Sequence, residues 1–169
     1  MDLRSRLQAV PRERLAERVS AASYGTILVL AALPLISAAE VSSGWGWELV
    51  SGVGLATWVA HLYAEVVGDH VRTGAVPDRT ELNGAMADGL PILLAAVPPA
   101  AILLVGRLGV VDPRVAVWAA VAVAVVQLLG LGAFVGRVAA PNGGASWWYA
   151  AVTAGIGVAV VMLKLGLGH

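Results

Sequence analysis

The chain has 169 residues, of which 59% are hydrophobic and 13% are charged, and its mean hydropathy is +0.81. Soluble domains carry about 25% charged residues, so this composition excludes an ordinary soluble domain and indicates a membrane protein. The 11 basic and 11 acidic residues balance, which argues against nucleic acid as a partner, because that partner requires a concentrated basic face. The chain has no cysteine, so disulfides, thiolate metal ligands and cysteine nucleophiles are excluded.

Residues 1–22 are the polar exception. Leu3, Leu7 and Leu15 recur at roughly helical spacing among five arginines, which predicts an amphipathic helix on the membrane surface, with its arginines near the lipid headgroups. A cleaved signal peptide is disfavoured, since the charged region is long and also contains Glu13 and Glu17.

Five apolar segments follow, each close to the ~20 residues that a bilayer requires. They are residues 23–39, 49–67, 89–106, 115–135 and 147–163. The sequence therefore predicts an all-α polytopic membrane protein. Its five transmembrane helices would form one domain over residues 23–169, preceded by the amphipathic helix.

The distribution of basic residues predicts the orientation of these spans. Eight of the 11 basic residues fall on the side of the N-terminus, which places the N-terminus in the cytoplasm and the C-terminus outside. The residues on the inner side are Arg4, Arg6, Arg12, Arg14, Arg18, Arg72, Arg79 and Arg137. The chain has one lysine and is rich in alanine, valine and glycine, a bias typical of high-GC bacteria, so the expected location is a bacterial inner membrane.

The second apolar segment carries His61, Glu65 and Asp69 at a spacing of four, which places them on one face of a helix. Ionisable residues within a membrane segment are costly, and they commonly mark an ion or proton path. Imidazole with carboxylates can hold a divalent cation, and the same groups can relay protons. The alternative is a helix end whose acids lie in headgroup water while His61 bonds a neighbouring helix.

Two residues from other segments belong to this candidate site. Tyr24 opens the first span on the same side and could donate a hydrogen bond to the His61/Glu65 pair, although an interfacial tyrosine is an equally good interpretation. Asp88 begins the third span, where capping of the helix N-terminus is the favoured role and membership of the acidic cluster the alternative.

The remaining polar and small residues predict packing rather than chemistry. Pro91 and the Pro98–Pro99 pair predict a kinked third span, and Gln127 predicts a hydrogen bond between helices. Gly132 and Gly136 favour close helix packing and a homodimer. No phosphate-binding loop, zinc-protease histidine pair or activated nucleophile is present, so no enzymatic activity is expected.

Several motifs resemble those of the five-span vacuolar iron transporter family. The stretch from Leu15 to Gly25 follows that family's L-x-D-x-V-x-G-A-N-D-G pattern without gaps, and residues 60–66 (AHLYAEV) follow its S-M-A-A-G-E-Y motif with Glu65 on the glutamate. A metal-ligand aspartate of the family falls on Tyr24, and a methionine ligand falls on His61. The family's cytoplasmic metal-binding helices have no counterpart in the short segment 68–88. The chain also resembles small actinobacterial membrane proteins for which no activity is implied.

The leading functional hypothesis is therefore a homodimeric transporter that moves a divalent cation of the Fe²⁺ or Mn²⁺ kind past His61 and Glu65, with possible coupling to protons. No cofactor is expected beyond this metal ion as a substrate, and the expected partners are the lipid bilayer and a second copy. The alternatives are a non-transporting membrane scaffold or accessory subunit, and a proton-conducting protein.

Overall fold

The computed structural model describes residues 12–139 and 144–167, and these ranges are helical apart from short connections. The long helices are α1 (Arg12–Ala32), α3 (Trp45–Thr73), α4 (Arg79–Arg107), α5 (Pro113–Ala139) and α6 (Gly144–Leu167). A 3₁₀ turn (Leu33–Leu35) and the short helix α2 (Ala38–Ser43) join α1 to α3. The described residues contain no β-strand, which confirms the prediction of an all-α protein.

Four segments are long and apolar enough to cross a membrane, namely Arg14–Leu35, Trp45–Thr73, Arg79–Arg107 and Pro113–Val138. Much of their apolar surface points away from the protein, since side chains such as those of Leu55, Trp118 and Val126 are more than half exposed. The fifth predicted span lies within α6, whose apolar stretch is only Ala151–Leu163. A fifth crossing therefore stays a prediction.

Helix α4 is the centre of the bundle, because it packs against α1, α3 and α5. The buried core includes Leu30 and Leu33 from the first helical segment, Leu103 from α4 and Leu128 from α5, none of which is exposed to solvent. These side chains belong to one buried cluster, and its van der Waals packing holds α1, α4 and α5 together.

The first helical segment differs from its prediction at both ends. Residues 1–11 lie outside the described part of the chain, so the amphipathic surface helix stays a prediction, and residues 12–22 belong to the same helix as the first span. It ends earlier than residue 39, because Pro34 lies in the 3₁₀ turn and Ser37 starts a new helix. The Ser37 backbone N–H and hydroxyl each donate to the Glu40 carboxylate at 2.7 Å, and these bonds lower the pKa of Glu40.

The connection between the second and third spans is shorter than the predicted 68–88. Helix α3 continues to Thr73, where Gly74 ends it in the left-handed conformation with φ of 69°. Helix α4 begins already at Arg79, because the side chain of Asp78 accepts hydrogen bonds from the N–H groups of Thr80 and Glu81. Only residues 74–78 connect the two helices.

Helix α4 continues through its three prolines as one helix. A proline lacks the N–H that would bond the carbonyl four residues earlier, so Pro99 leaves the carbonyl of Ala95 without its helical donor. Gln127 of α5 donates to this carbonyl from Nε2 at 3.3 Å, which confirms the predicted hydrogen bond between helices. The bond explains how α4 accommodates Pro99 inside the bundle.

Glycines allow close helix packing within one copy of the chain. Gly157 of α6 faces Leu128 and Leu30, whose methyl carbons lie 2.6 and 3.2 Å from the place that a Cβ would occupy. Gly132 and Gly136 are also buried in the single chain. These glycines are thus used for intramolecular packing, and they do not by themselves support the predicted homodimer.

Gly25 determines how closely α1 approaches α4, and its replacement by alanine is expected to destabilise the protein. A Cβ at this position would lie 2.9 Å from Ile92 Cα, a backbone atom that cannot move aside. Overpacking of this kind costs about 1–3 kcal/mol. Chemical unfolding in detergent, followed by circular dichroism, measures the loss.

Gly52→Ala is the matched control for Gly25→Ala, because nothing lies within 4 Å of a Cβ at Gly52. Alanine is favoured over glycine within a helix by about 1 kcal/mol, so this variant should unfold no earlier than the wild type. Equal unfolding midpoints for the two variants would contradict the close packing at Gly25.

Candidate functional site

The starts of α1 and α4 and the end of α3 lie together at one end of the bundle, which we call the Asp88 end. Arg18 near the start of α1 contacts Asp88 of α4 there, and residues 74–78 connect α3 to α4 at the same end. Under the predicted orientation, the Asp88 end faces the cytoplasm.

His61 and Glu65 lie in the half of α3 that is nearer to this end of the bundle, and both side chains are half-buried. The His61 ring packs against Gly89 of α4, where its Cδ2 atom lies 3.4 Å from the position that a Cβ would take. Trp58 packs on the same glycine and donates from Nε1 to the Met86 carbonyl at 3.4 Å. A larger residue in place of Gly89 would push both rings away from α4.

A cavity of about 530 Å³ lies beside the His61/Glu65 pair, between α1 and α3 and against α4. Helix α1 contributes Ala16, Glu17 and Ser20, and α4 contributes Asp88. Helix α3 contributes the stripe His61, Ala64, Glu65, Gly68 and Arg72. The predicted four-residue spacing therefore does place His61 and Glu65 on one cavity wall.

The Glu65 carboxylate has one oxygen that lacks a bonding partner. Oε2 is buried and forms no hydrogen bond with a described residue, as is also true of Trp47 Nε1 and Gln127 Oε1, but it is the one of these three atoms that belongs to an ionisable group. A buried polar atom without a partner costs about 1–3 kcal/mol, so such atoms are rare and commonly mark a site of function or of an unseen ligand. A bound proton, a water molecule or a metal cation would each satisfy this oxygen.

Asp88 forms an ion pair across the bundle and does not cap a helix, so the favoured sequence interpretation is wrong. Arg18 donates from Nε to Asp88 Oδ1 at 2.8 Å, and the Asp88 side chain is only 10% exposed. The capping role belongs to Asp78, ten residues earlier. Arg18 therefore bonds a carboxylate of α4, whereas the sequence predicted a position among the lipid headgroups.

Two other predicted site residues lie outside the cavity lining. Asp69 accepts a hydrogen bond from Arg72 on the same helix, and both side chains are substantially exposed. Tyr24 is 52% exposed and does not line the cavity. The structure thus brings together His61, Glu65 and Asp88, while Asp69 and Tyr24 stand apart from them.

Glu17 is a cavity residue that the sequence interpretation did not select. It lines the cavity from α1, across from the α3 stripe. The available signal was the gapless match to the first-span motif, in which Glu17 occupies the position of the first aspartate. Because residues 1–22 were interpreted as a helix on the membrane surface, Glu17 was not selected as a site residue.

Ion pairing leaves the cavity with excess negative charge. Arg18 neutralises Asp88, and Arg72 pairs with Asp69. Among the described side chains, Glu17 and Glu65 form no ion pair. The cavity is therefore suited to a cation rather than an anion.

The ligand set for a metal ion is incomplete. In the described ranges, no three His, Asp or Glu side chains lie close enough together to hold a metal ion. His61 and Glu65, one helical turn apart, could supply two ligands, and water would complete the shell of a divalent ion. A proton requires only one of these groups.

Comparison of the chain with protein-family models, with curated proteins and with solved structures finds no match. The similarity to the vacuolar iron transporter family therefore stays a prediction from motifs. The cavity at the Asp88 end is the feature from which a function can be argued.

Proposed function

We propose that this chain is a membrane transporter that moves a cation through the helical bundle by way of Glu65 and His61. The observation that carries the proposal is the buried, unpartnered Oε2 atom of Glu65, on the wall of a cavity that also holds unpaired Glu17. Ionisable groups at membrane depth that face a cavity commonly belong to ion or proton paths.

A proton is the first candidate for the cation. The His61 and Glu65 side chains lie one turn apart on α3, and both can take up and release a proton in sequence. The two-ligand set favours a proton over a metal ion, because a divalent ion in a protein site takes at least four ligands, of which His61 and Glu65 would supply two.

A divalent metal ion is the second candidate, favoured by Glu17 and Glu65 together. These two carboxylates carry two negative charges on opposite cavity walls, which matches the charge of Mn²⁺ or Fe²⁺. The motif resemblance to iron transporters points the same way. A metal ion would then bind through Glu65 and His61 with water completing its shell, and the charge of Glu17 would attract it from across the cavity.

The orientation, location and assembly that accompany this proposal come from the sequence. We place the protein in a bacterial inner membrane with five spans and the Asp88 end in the cytoplasm, so that the cavity captures a cytosolic cation. A homodimer accords with the family resemblance. A scaffold that has lost its site would keep the same fold but show no ion flux.

A flux assay in liposomes tests the proposal and separates the two cations. The wild-type chain is reconstituted with a pH-sensitive dye inside, under a pH gradient and a clamped membrane potential, first without metal and then with Mn²⁺, Fe²⁺ or Zn²⁺. Acidification above that of protein-free liposomes without metal supports the proton. Metal uptake supports a divalent ion, whereas no flux of any ion indicates the scaffold and contradicts transport.

A further inference from the structure

A second cavity, of about 470 Å³, lies between α1 and α5 at the start of α1. We call it the α1–α5 cavity, and we call the cavity beside His61 and Glu65 the Glu65 cavity. Apart from Ser20, the lining of the α1–α5 cavity is apolar. Leu15 and Val19 line it from α1, and Phe134, Val135 and Val138 line it from α5. Its volume lies in the range of small-molecule sites, about 300–1,000 Å³, and its lining is complementary to a hydrocarbon or aromatic group.

The α1–α5 cavity and the Glu65 cavity share two lining residues, Ala16 and Ser20, which lie one turn apart on α1. Both side chains are small and exposed, so the shared part of the lining holds no bulky side chain that would divide the two cavities. A molecule that lies across Ala16 and Ser20 can therefore occupy both cavities at once.

The Glu65 cavity offers such a molecule negative charge and a free hydrogen-bond acceptor. Glu17 and Glu65 have no ion-pair partners among the described side chains, whereas Asp88 and Arg72 are each neutralised by an ion pair, and His61 is the remaining titratable group of the lining. Oε2 of Glu65 accepts no hydrogen bond from a described residue. A protonated amine supplies both a positive charge and the N–H donors that this oxygen lacks.

We propose that the Glu65 cavity and the α1–α5 cavity together bind a lipophilic amine in its protonated form, with the ammonium group at Glu65 and the apolar body beside Phe134. Aliphatic amines have pKa values near that of lysine, about 10.4, so they are charged at neutral pH. A bare proton or a metal ion uses only the Glu65 cavity, whereas an amphipathic amine uses both cavities.

This inference rests on the proposed function, because it adds a class of organic cation to the ions proposed for Glu65. Like a lysine side chain, a lipophilic amine keeps its ammonium group in polar surroundings and its hydrocarbon part in apolar ones. Ala16 and Ser20 lie in the first turns of the candidate membrane span Arg14–Leu35, where these two environments meet. A proton on Glu65 removes the negative charge that attracts the ammonium group, so the two cations exclude one another at this carboxylate.

Three matched compounds test the two halves of the site by calorimetry on the purified full chain in detergent, with the heat of titration into protein-free detergent subtracted. 4-Phenylbutylamine carries both the charge and the ring, butylamine lacks the ring, and 4-phenylbutanol lacks the charge. The wild type should bind 4-phenylbutylamine roughly 30-fold more tightly than butylamine, the ratio expected for about 80 Å² of apolar surface removed from water. It should bind 4-phenylbutanol about tenfold more weakly than 4-phenylbutylamine, because the alcohol is uncharged.

Variants assign each half of the ligand to its cavity. Glu65→Gln should weaken 4-phenylbutylamine binding by about tenfold and leave 4-phenylbutanol within twofold, and Glu48→Gln, at the opposite end of the bundle, should change neither. Val135→Trp fills the α1–α5 cavity and should lower the affinity for 4-phenylbutylamine to that for butylamine. Retained butylamine binding by Val135→Trp shows that this variant is folded, and the comparison of the three compounds on the wild type requires no variant.

Equal affinities of the wild type for 4-phenylbutylamine and butylamine would overturn the inference, as would 4-phenylbutylamine binding that Glu65→Gln leaves unchanged. These outcomes are distinguishable from failure of the proposed function, because binding is measured without a gradient or flux. A protein that conducts protons or metal ions but fails these binding tests would contradict only the amine site. Glu65-dependent binding of 4-phenylbutylamine by a protein that shows no ion flux would support the amine site and contradict ion transport.

Discussion

Replacing Glu65 with glutamine is expected to reduce cation flux by a factor on the order of 100, the lower end of what a positioned proton-transfer group contributes to a rate. The amide has nearly the same shape as the carboxylate but can neither take up a proton nor carry the charge that attracts a cation. Because Oε2 of Glu65 has no described hydrogen-bonding partner, the substitution breaks no bond of the folded protein. The unfolding midpoint of the variant should therefore remain at or above that of the wild type.

Glu48→Gln is the matched control for this flux measurement. Glu48 lies near the start of the same helix, at the opposite end of the bundle, and its carboxylate is half exposed, with Arg107 at 4.0 Å. Its substitution should leave flux in liposomes within twofold of the wild type. A Glu65→Gln protein that transports as fast as Glu48→Gln would show that the cation does not pass through Glu65.

The polar stripe on α3 was predictable because it depends only on local geometry. His61 and Glu65 are four residues apart, so any helix there places them on one face, and the cavity lies on that face. The start of α4 was predictable in principle as well, since Asp78 and Glu81 have the spacing of a capping box. The predicted spans were limited to the apolar residues, so they were too short, because α3 and α4 both continue into polar residues.

The contribution of α1 to the cavity could not be predicted in this way. Arg18 and Asp88 are 70 residues apart in the chain, and their contact depends on the approach of α1 to α4 at Gly25. A polar N-terminal segment suggests a surface helix when each residue is considered by itself. Once α1 packs against α4, Arg18 bonds Asp88 and Glu17 faces the cavity. Tyr24 shows the opposite error. The sequence interpretation placed it beside His61 and Glu65, but in the structure it does not line their cavity.

Removal of the Arg18 side chain is expected to destabilise the protein by about 2 kcal/mol. Loss of one partner from a fully buried ion pair costs about 3–5 kcal/mol, because the other charge is left buried without compensation. The Arg18 side chain is 42% exposed and Asp88 is 10% exposed, so water reduces that cost. Arg18→Ala should accordingly lower the free energy of unfolding measured in detergent by denaturant titration.

Two further variants test whether the unpaired charge of Asp88 causes the loss of stability in Arg18→Ala. Arg72→Ala removes a guanidinium whose side chain is 72% exposed and pairs with Asp69, and its cost should stay below about 1 kcal/mol. In an Asp88→Asn background, Arg18→Ala should cost roughly 1 kcal/mol less than in the wild type, because a neutral amide needs no counterion. Equal costs for the arginine substitutions at 18 and 72 would contradict the buried pair.

The Arg18→Ala variant also separates stability from cation binding. Without Arg18, the described cavity lining would hold three carboxylates without ion-pair partners, Glu17, Glu65 and Asp88. Mn²⁺ binding by the folded variant, measured by calorimetry, should become tighter even though the protein is less stable, because Asp88 then adds an unpaired negative charge to the cavity that attracts the cation. Weaker Mn²⁺ binding would indicate that Arg18 holds the cavity open, and that its pairing with Asp88 does not limit the charge available to a cation.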